Sequence, residues 1–281
     1  MTAIETAHDV PVQVIEPRRG LAGLDLRELW RFRELLFVFT WRNILVRYKQ
    51  TALGVLWAIL QPVFLMIVFT LVFGRLAKLP SEGIPYPIFS YSALLPWLFF
   101  ANALTQSSQS VVGASNLLQK VYFPRLTIPI AAVLSSLVDF VVAFGVLIGL
   151  MVYYSIVPGW EIVFLPLFTV LAFVAALGVG LWLSALNVRY RDVGYTVPFL
   201  TQLWFFATPV VYSARSVHEP LQTLLGLNPM AGVVEGFRWA LVGTAHPAWG
   251  TLALSAAVAL IVLASGIAYF RTLERTFADV V

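Results

Sequence analysis

An all-α integral membrane protein is the fold this sequence predicts, and three observations carry it. Only 11% of the 281 residues are charged and 60% are hydrophobic, where a soluble domain carries roughly 25% charged residues. Several apolar runs reach the ~20 residues a helix needs to cross a bilayer. The cations are also lopsided: with the N-terminus placed inside, the inner segments hold fourteen Lys/Arg and the outer ones only Arg75, Lys78, Arg215 and Arg238, the bias of cytoplasmic loops. The expectation is six transmembrane helices, an N-terminal amphipathic interfacial helix and outward-facing re-entrant half-helices before the last span, with both termini cytoplasmic. The net charge of +4 then belongs to inner loops and lipid headgroups, and no nucleic-acid partner is expected.

Taken in order, residues 1–27 are polar, carry Glu5 and Asp9 and lack the apolar core of a signal peptide, which reads as a cytoplasmic tail. Over residues 28–50, Leu29, Trp30, Phe32, Leu36 and Phe39 mix with Arg31, Arg33, Glu34, Arg42, Arg47 and Lys49. No spanning-length window there is free of charge, so the helix is placed in the interface. The first span, 54–73, contains Gln61-Pro62, and proline is tolerated at membrane depth if neighbours re-satisfy the freed carbonyl. The second, 87–113, ends in the polar patch Thr105-Gln-Ser-Ser-Gln-Ser110. A loop at 114–127 leads to the third span, 127–154, whose outer end is marked by Tyr153, Tyr154 and Trp160. In the fourth, 162–186, Ala172, Ala176, Gly180 and Ser184 recur every four residues, a stripe that lets another helix approach closely. The charged loop Asn187-Val-Arg-Tyr-Arg-Asp192 precedes the fifth span, 195–212, which contains Pro198 and Pro209. The stretch 221–243 is apolar in two pieces broken at Asn228-Pro229, each too short to cross. Two half-helices dipping in from outside fit it, and so does a surface-lying amphipathic helix. The sixth span, 251–270, precedes a cytoplasmic tail, 272–281.

The 114–127 loop is short and unusually apolar. Asn116 to Tyr122 has room for one or two helical turns, capped by Ser115 or Asn116 and stopped at Phe123 by Pro124. On such a turn Leu117 sits over Val121 and Leu118 over Tyr122, an apolar knob flanked by Lys120 and Arg125. Two readings fit the knob: a surface for a docked partner, or a loop dipping into the headgroups.

Much chemistry is excluded. With no cysteine there is no disulfide, thiolate metal site or cysteine nucleophile. The three lysines, Lys49, Lys78 and Lys120, do not follow the glycines of a phosphate loop, so the chain has no such ATP site of its own. Outer acids and histidines (Glu82, Glu161, His218, Glu219, Glu235, His246) lie scattered without metal-ligand spacing, and no metal site is expected. Glu235 and Arg238, three apart, are expected as a structural ion pair. Asp139 is the acid clearly inside a span, read either as a coupling-proton site or as a group bonded to a neighbouring helix or water. Trp97, Phe100, Trp204, Phe205, Phe206 and Trp239 suit a path for sugar rings, being apolar faces with tolerant edges, and equally suit membrane filler. Arg42, Arg47 and Lys49 at the inner face offer cations to a lipid pyrophosphate or to anionic lipids generally.

Five ordered blocks then carry a resemblance: Arg47-Tyr-Lys-Gln-Thr-Ala-Leu-Gly-Val-Leu-Trp57 with Gln61-Pro62, Asn116 to Pro129, Leu186-Asn-Val-Arg-Tyr-Arg-Asp-Val193, Pro198 to Ser213, and Asn228-Pro-Met-Ala231 running to Phe237-Arg238. Leu137-Val-Asp-Phe140 fits as well. Together they resemble the membrane subunits of bacterial ABC polysaccharide exporters, the type-2 permeases that move lipid-linked O-antigen, capsule, teichoic acid or galactan. The resemblance covers residues 28 to 271, and Arg75 and Lys78 outside are mild exceptions to the charge rule. It implies an inner-membrane half-transporter working with a second copy of itself and two separate ABC ATP-binding subunits, which bind the ATP and magnesium. It further implies that Asn116 to Phe123 is the coupling helix, that residues 28–50 form a gate helix, that 221–243 is re-entrant, and that the cargo is a polyprenyl-pyrophosphate-linked polysaccharide. Export of drugs or lipids on the same architecture, and a membrane glycan transferase or ligase, are the competing readings.

Overall fold

A computed structural model describes residues 30–49, 54–121, 123–218, 221–274 and 277. The expected N-terminal tail, most of the C-terminal tail and Tyr122 lie outside the described residues. In chain order the elements are α1 (Arg33–Lys49), α2 (Leu56–Leu76, whose last turns from Thr70 are π-helical), α3 (Tyr86–Gly113), α4 (Ser115–Leu118), α5 (Thr127–Tyr153), α6 (Leu165–Arg189), α7 (Val193–Phe206), α8 (Leu221–Leu225), α9 (Pro229–Val242) and α10 (Trp249–Glu274). No strand occurs among the described residues.

Among the described residues, five helices are long and apolar enough to cross a membrane: α2, α3, α5, α6 (with the turn from Trp160) and α10. The fifth expected span differs. Its helix, α7, has 14 residues and rises about 21 Å, short of the ~30 Å hydrocarbon core. It ends at Phe206, ahead of Pro209, and the chain turns through residues 207–213 instead.

The helix α3 is the axis of the bundle: 78% of its apolar window is buried, against 11% for α2 and 17% for α10. Phe89, Tyr91, Leu94, Phe100 and Leu104 on α3 are fully covered, and the Tyr91 hydroxyl donates to the Ala143 carbonyl at 3.0 Å. α6 lies between α3 and α10, and its small residues explain both contacts. A Cβ on Gly180, within the four-residue stripe, would lie 2.5 Å from Ser107 Oγ of α3. On the opposite side, a Cβ on Gly178 would lie 2.7 Å from the backbone nitrogen of Leu263, and one on Gly266 2.5 Å from the Gly178 carbonyl oxygen. Close backbone approach substitutes for the hydrophobic drive that lipid cannot supply between helices.

The α9 segment is set by its ends. Asn228 Oδ1 accepts from the Met230 amide at 3.0 Å, Pro229 takes the first turn, and Gly243 leaves the helix at φ +68°. Almost every residue from Pro229 to Val242 is buried against α3, α6 and α10. A surface-lying amphipathic helix is therefore ruled out for this piece, since such a helix keeps one face in solvent.

Candidate functional site

The 114–127 loop is a short helical turn with two unlike faces. The α4 ladder continues past Leu118 through Gln119 N to Ser115 O (3.2 Å) and Val121 N to Leu117 O (3.1 Å). Ala114 takes the cap position, with no side-chain cap bond from Ser115 or Asn116. Leu118 and Phe123 are buried at 8% and 5% exposure in a cluster with Phe39, Val188, Phe270 and Phe277. Asn116, Gln119, Lys120 and Val121 are exposed, and Leu117 is half-buried. The expected knob is thus divided: Leu118 faces inward and anchors the loop, while Val121 and Lys120 face out. Phe123 meets Phe39 of α1 edge-on at 5.3 Å between ring centroids, and the Arg125 guanidinium lies 6.0 Å from the centre of the Phe277 ring.

Asp139 has specific partners. The Arg47 guanidinium donates to the Asp139 carboxylate and to Gln106 Oε1, and the Tyr48 hydroxyl donates to the other Asp139 oxygen. Ser135 Oγ lies 3.4 Å from Arg47 Nη2, and Gln106 Nε2 donates to Ser136 Oγ at 3.1 Å. This network joins the end of α1 to α3 and α5. Of the two readings of Asp139, the geometry is that of a group bonded to a neighbouring helix. It also separates the three inner cations. Arg47 is committed to Asp139, whereas Arg42 and Lys49 are exposed, Arg42 lying over the Phe39 ring at 5.2 Å. Sequence reasoning missed Gln106, Tyr48 and Ser135. The available signal was the rule that an intramembrane carboxylate needs a named partner.

Beside this network a cavity of about 600 Å³ opens between α1, α2, α3 and α5, with Trp57, Gln61, Leu98, Phe99, Asn102 and Phe140 in its wall. None of the six aromatics expected along a glycan path is among the residues lining this cavity. Trp97 and Phe100 are buried and pack on Phe205 (5.7 Å) and Trp204 (5.1 Å). Trp239 is enclosed by Phe164, Phe168 and Trp249. Within this single chain these rings are core, and Phe206 is exposed at 58%. Trp204 also donates from its indole to Asn228 Oδ1 at 3.0 Å, fixing α7 to the start of α9.

At the opposite end of α3, Arg238 is 3% exposed. Its guanidinium donates to the carbonyls of Phe89 (3.3 Å), Pro209 (2.7 Å), Tyr212 (2.9 Å) and Val210, and lies 3.8 Å from the centre of the Phe89 ring. The ion pair expected with Glu235 gives way to these bonds. The turn after α7 presents a cluster of buried carbonyls, and a planar five-donor group satisfies several at once. Glu235 is left at longer range.

Residues 34–242 match the family model described as "ABC-2 type transporter". The chain is similar to the O-antigen export system permease protein RfbA of Myxococcus xanthus, with 30% identity over 257 residues that cover 90% of this chain and 98% of the relative. A protein of the same name from Klebsiella pneumoniae is 27% identical over 249 residues, covering 88% and 95%. The polysialic acid transport protein KpsM of Escherichia coli is 26% identical over 250 residues, covering 86% and 93%.

Proposed function

We propose, from the premise that this chain belongs to the ABC-2 type transporter family, that it is the permease subunit of an ATP-driven exporter carrying a lipid-linked polysaccharide outward across the inner membrane. Its nearest supports are relatives named for O-antigen export and polysialic acid transport. The observation that carries the mechanism is the two-faced loop: Val121 and Lys120 exposed on a turn whose other side, Leu118 and Phe123, is packed into the bundle and onto α1. A chain without a phosphate loop needs an outside engine, and this turn is an outlet for one. The working unit is two copies of the chain and two ATP-binding subunits, with ATP and magnesium held on the latter. Closure of those subunits is useful only if it favours one of two arrangements of the spans, and Phe123 against Phe39 gives the loop a direct contact with α1.

Six crossings remain the topology of choice. Six crossings keep both termini on one side and give the fourteen-to-four distribution of cations, and on this reading the chain from Val193 through the 207–213 turn completes the fifth crossing. The pair α8–α9, broken at Asn228-Pro229, is then re-entrant from outside, with Arg238 covering the carbonyls of that turn. Arg42 and Lys49 are the cations available to a polyprenyl pyrophosphate at the inner face.

Against export of drugs or free lipids on the same architecture, the named relatives favour a glycan. The test is purification of the full chain from its native membrane: a stoichiometric ATP-binding subunit supports the class, and the lipid-linked glycan that accumulates on depletion identifies the cargo. ATP-independent turnover of a lipid-linked sugar by the chain alone would overturn it in favour of a transferase.

A further inference from the structure

The geometry points to a binding site for a zwitterionic phospholipid of the inner leaflet, phosphoethanolamine in type, in the cavity between α1, α2, α3 and α5. The site goes beyond the export reading, and the inference does not depend on what is exported.

Shape comes first. Leu95, Leu98, Asn102 and Gln106 line the cavity from one face of α3, at intervals of three or four residues. From Leu95 to Gln106 the helix rises roughly 16 Å, about the depth of one leaflet of a ~30 Å hydrocarbon core. The opposing wall is the inner half of α2, through Trp57, Ala58 and Gln61. Because only 11% of the α2 window is buried, the slot stands beside a helix that the chain itself leaves largely uncovered. Its volume of about 600 Å³ lies within the ~300–1,000 Å³ of sites that enclose small ligands.

Polarity runs along that length. One end holds Arg47, Tyr48, Gln106 and Asp139; the other is Leu95, Pro62 and Ala143. The polar end is the one beside α1, the cytoplasmic side by the cation count. A chain with its headgroup at the inner surface and its tail toward the midplane matches this gradient, and the reverse orientation does not.

Charge selects the headgroup. Arg47 and Asp139 both line the cavity, with side chains 26% and 18% exposed, and they neutralise each other. A phosphate or pyrophosphate alone would have to take Arg47 from Asp139 and leave a carboxylate uncompensated in a half-buried site, which is costly. A headgroup carrying both signs offers its phosphate to the guanidinium and its ammonium to the carboxylate, keeping both charges paired.

The experiment uses the full chain, purified with its ATP-binding partner and delipidated in detergent. Phosphatidylethanolamine, phosphatidylglycerol and a polyprenyl phosphate are titrated separately, with binding read by native mass spectrometry. Brominated-tail phosphatidylethanolamine gives a second readout, as quenching lost in Trp57→Phe. The expected result is one phosphatidylethanolamine per chain, bound at least tenfold more tightly than phosphatidylglycerol. Ala58→Leu, which narrows the slot from the loosely packed α2, should weaken it tenfold, and Asp139→Asn should abolish the preference over phosphatidylglycerol. If Asp139→Asn does not fold, the Ala58→Leu and Trp57→Phe arms still decide. Equal affinity for all three lipids, binding indifferent to Ala58→Leu, or quenching that persists undiminished in Trp57→Phe would mean ordinary annular contact and overturn the site. Preference for polyprenyl phosphate would assign the slot to the carrier instead and equally overturn it.

Discussion

Two arginines sit at opposite faces of this bundle and are held in opposite ways. Arg238 is enclosed, its guanidinium divided among four backbone carbonyls, three of them from the single turn after α7. Arg47 is partly exposed and bonds side chains, Asp139 of α5 and Gln106 of α3, from a helix whose apolar flank (Phe37, Trp41, Leu45) is uncovered. Backbone carbonyls move only with their segment, so Arg238 acts as a rivet for the turn after α7. Side-chain partners on separate helices can be exchanged, so the Arg47 network is the place where α1 can change its relation to the spans. One end of the bundle is thus held through backbone carbonyls and the other through side chains.

The largest expected effect lies at the rivet. Arg238→Met would leave several buried carbonyls without a partner and should cost about 3 kcal/mol or more, read as a large fall in the unfolding temperature of detergent-solubilised protein. Glu235→Gln should be mild by the same measurement. An Arg238→Met variant with full stability would break the comparison at its outer end.

Next comes the inner network. Arg47→Gln and Asp139→Asn should each destabilise, because each leaves a partner without its bonded charge. The double variant should be less harmful than the sum, with a coupling of about 1–3 kcal/mol from a double-mutant cycle on thermal stability. Additive effects would mean that the pair is incidental.

The loop gives a sharper contrast within one turn. Leu118→Asp buries a charge in the Phe39–Phe123–Phe277 cluster and should reduce folded protein. Val121→Asp and Lys120→Glu, on exposed positions, should leave stability within ~0.5 kcal/mol while removing export. Neutralising Arg42 and Lys49 together should have the smallest effect, a loss of substrate-stimulated ATP hydrolysis with unchanged stability.

What was legible in the sequence follows from the range of the forces involved. Composition and apolar run length are local, and they placed α2, α3, α5, α6 and α10. The cap at Asn228-Pro229 is equally local, and the break it predicts is present. The Ala172–Ser184 stripe announced a close helix contact without naming its partner; Gly178, off the stripe, turned out to hold the second. Partner choice was not legible. Arg47 and Asp139 lie 92 positions apart, and only the packing of α1 across α3 and α5 brings them together. Helical spacing favoured Glu235 for Arg238, but it cannot register that a broken helix nearby offers carbonyls in greater need. Likewise the 114–127 loop showed its apolar residues, and tertiary contact alone decided that Leu118 faces in while Val121 faces out.

The central claim, that the exposed side of this turn receives the work of ATP hydrolysis, is tested most directly by the Lys120→Glu, Val121→Asp chain assembled with its ATP-binding partner in proteoliposomes, measuring hydrolysis and outward movement of the lipid-linked glycan together. The account predicts a stably folded chain in which hydrolysis no longer drives export. Export and hydrolysis that remain linked at wild-type levels would contradict it.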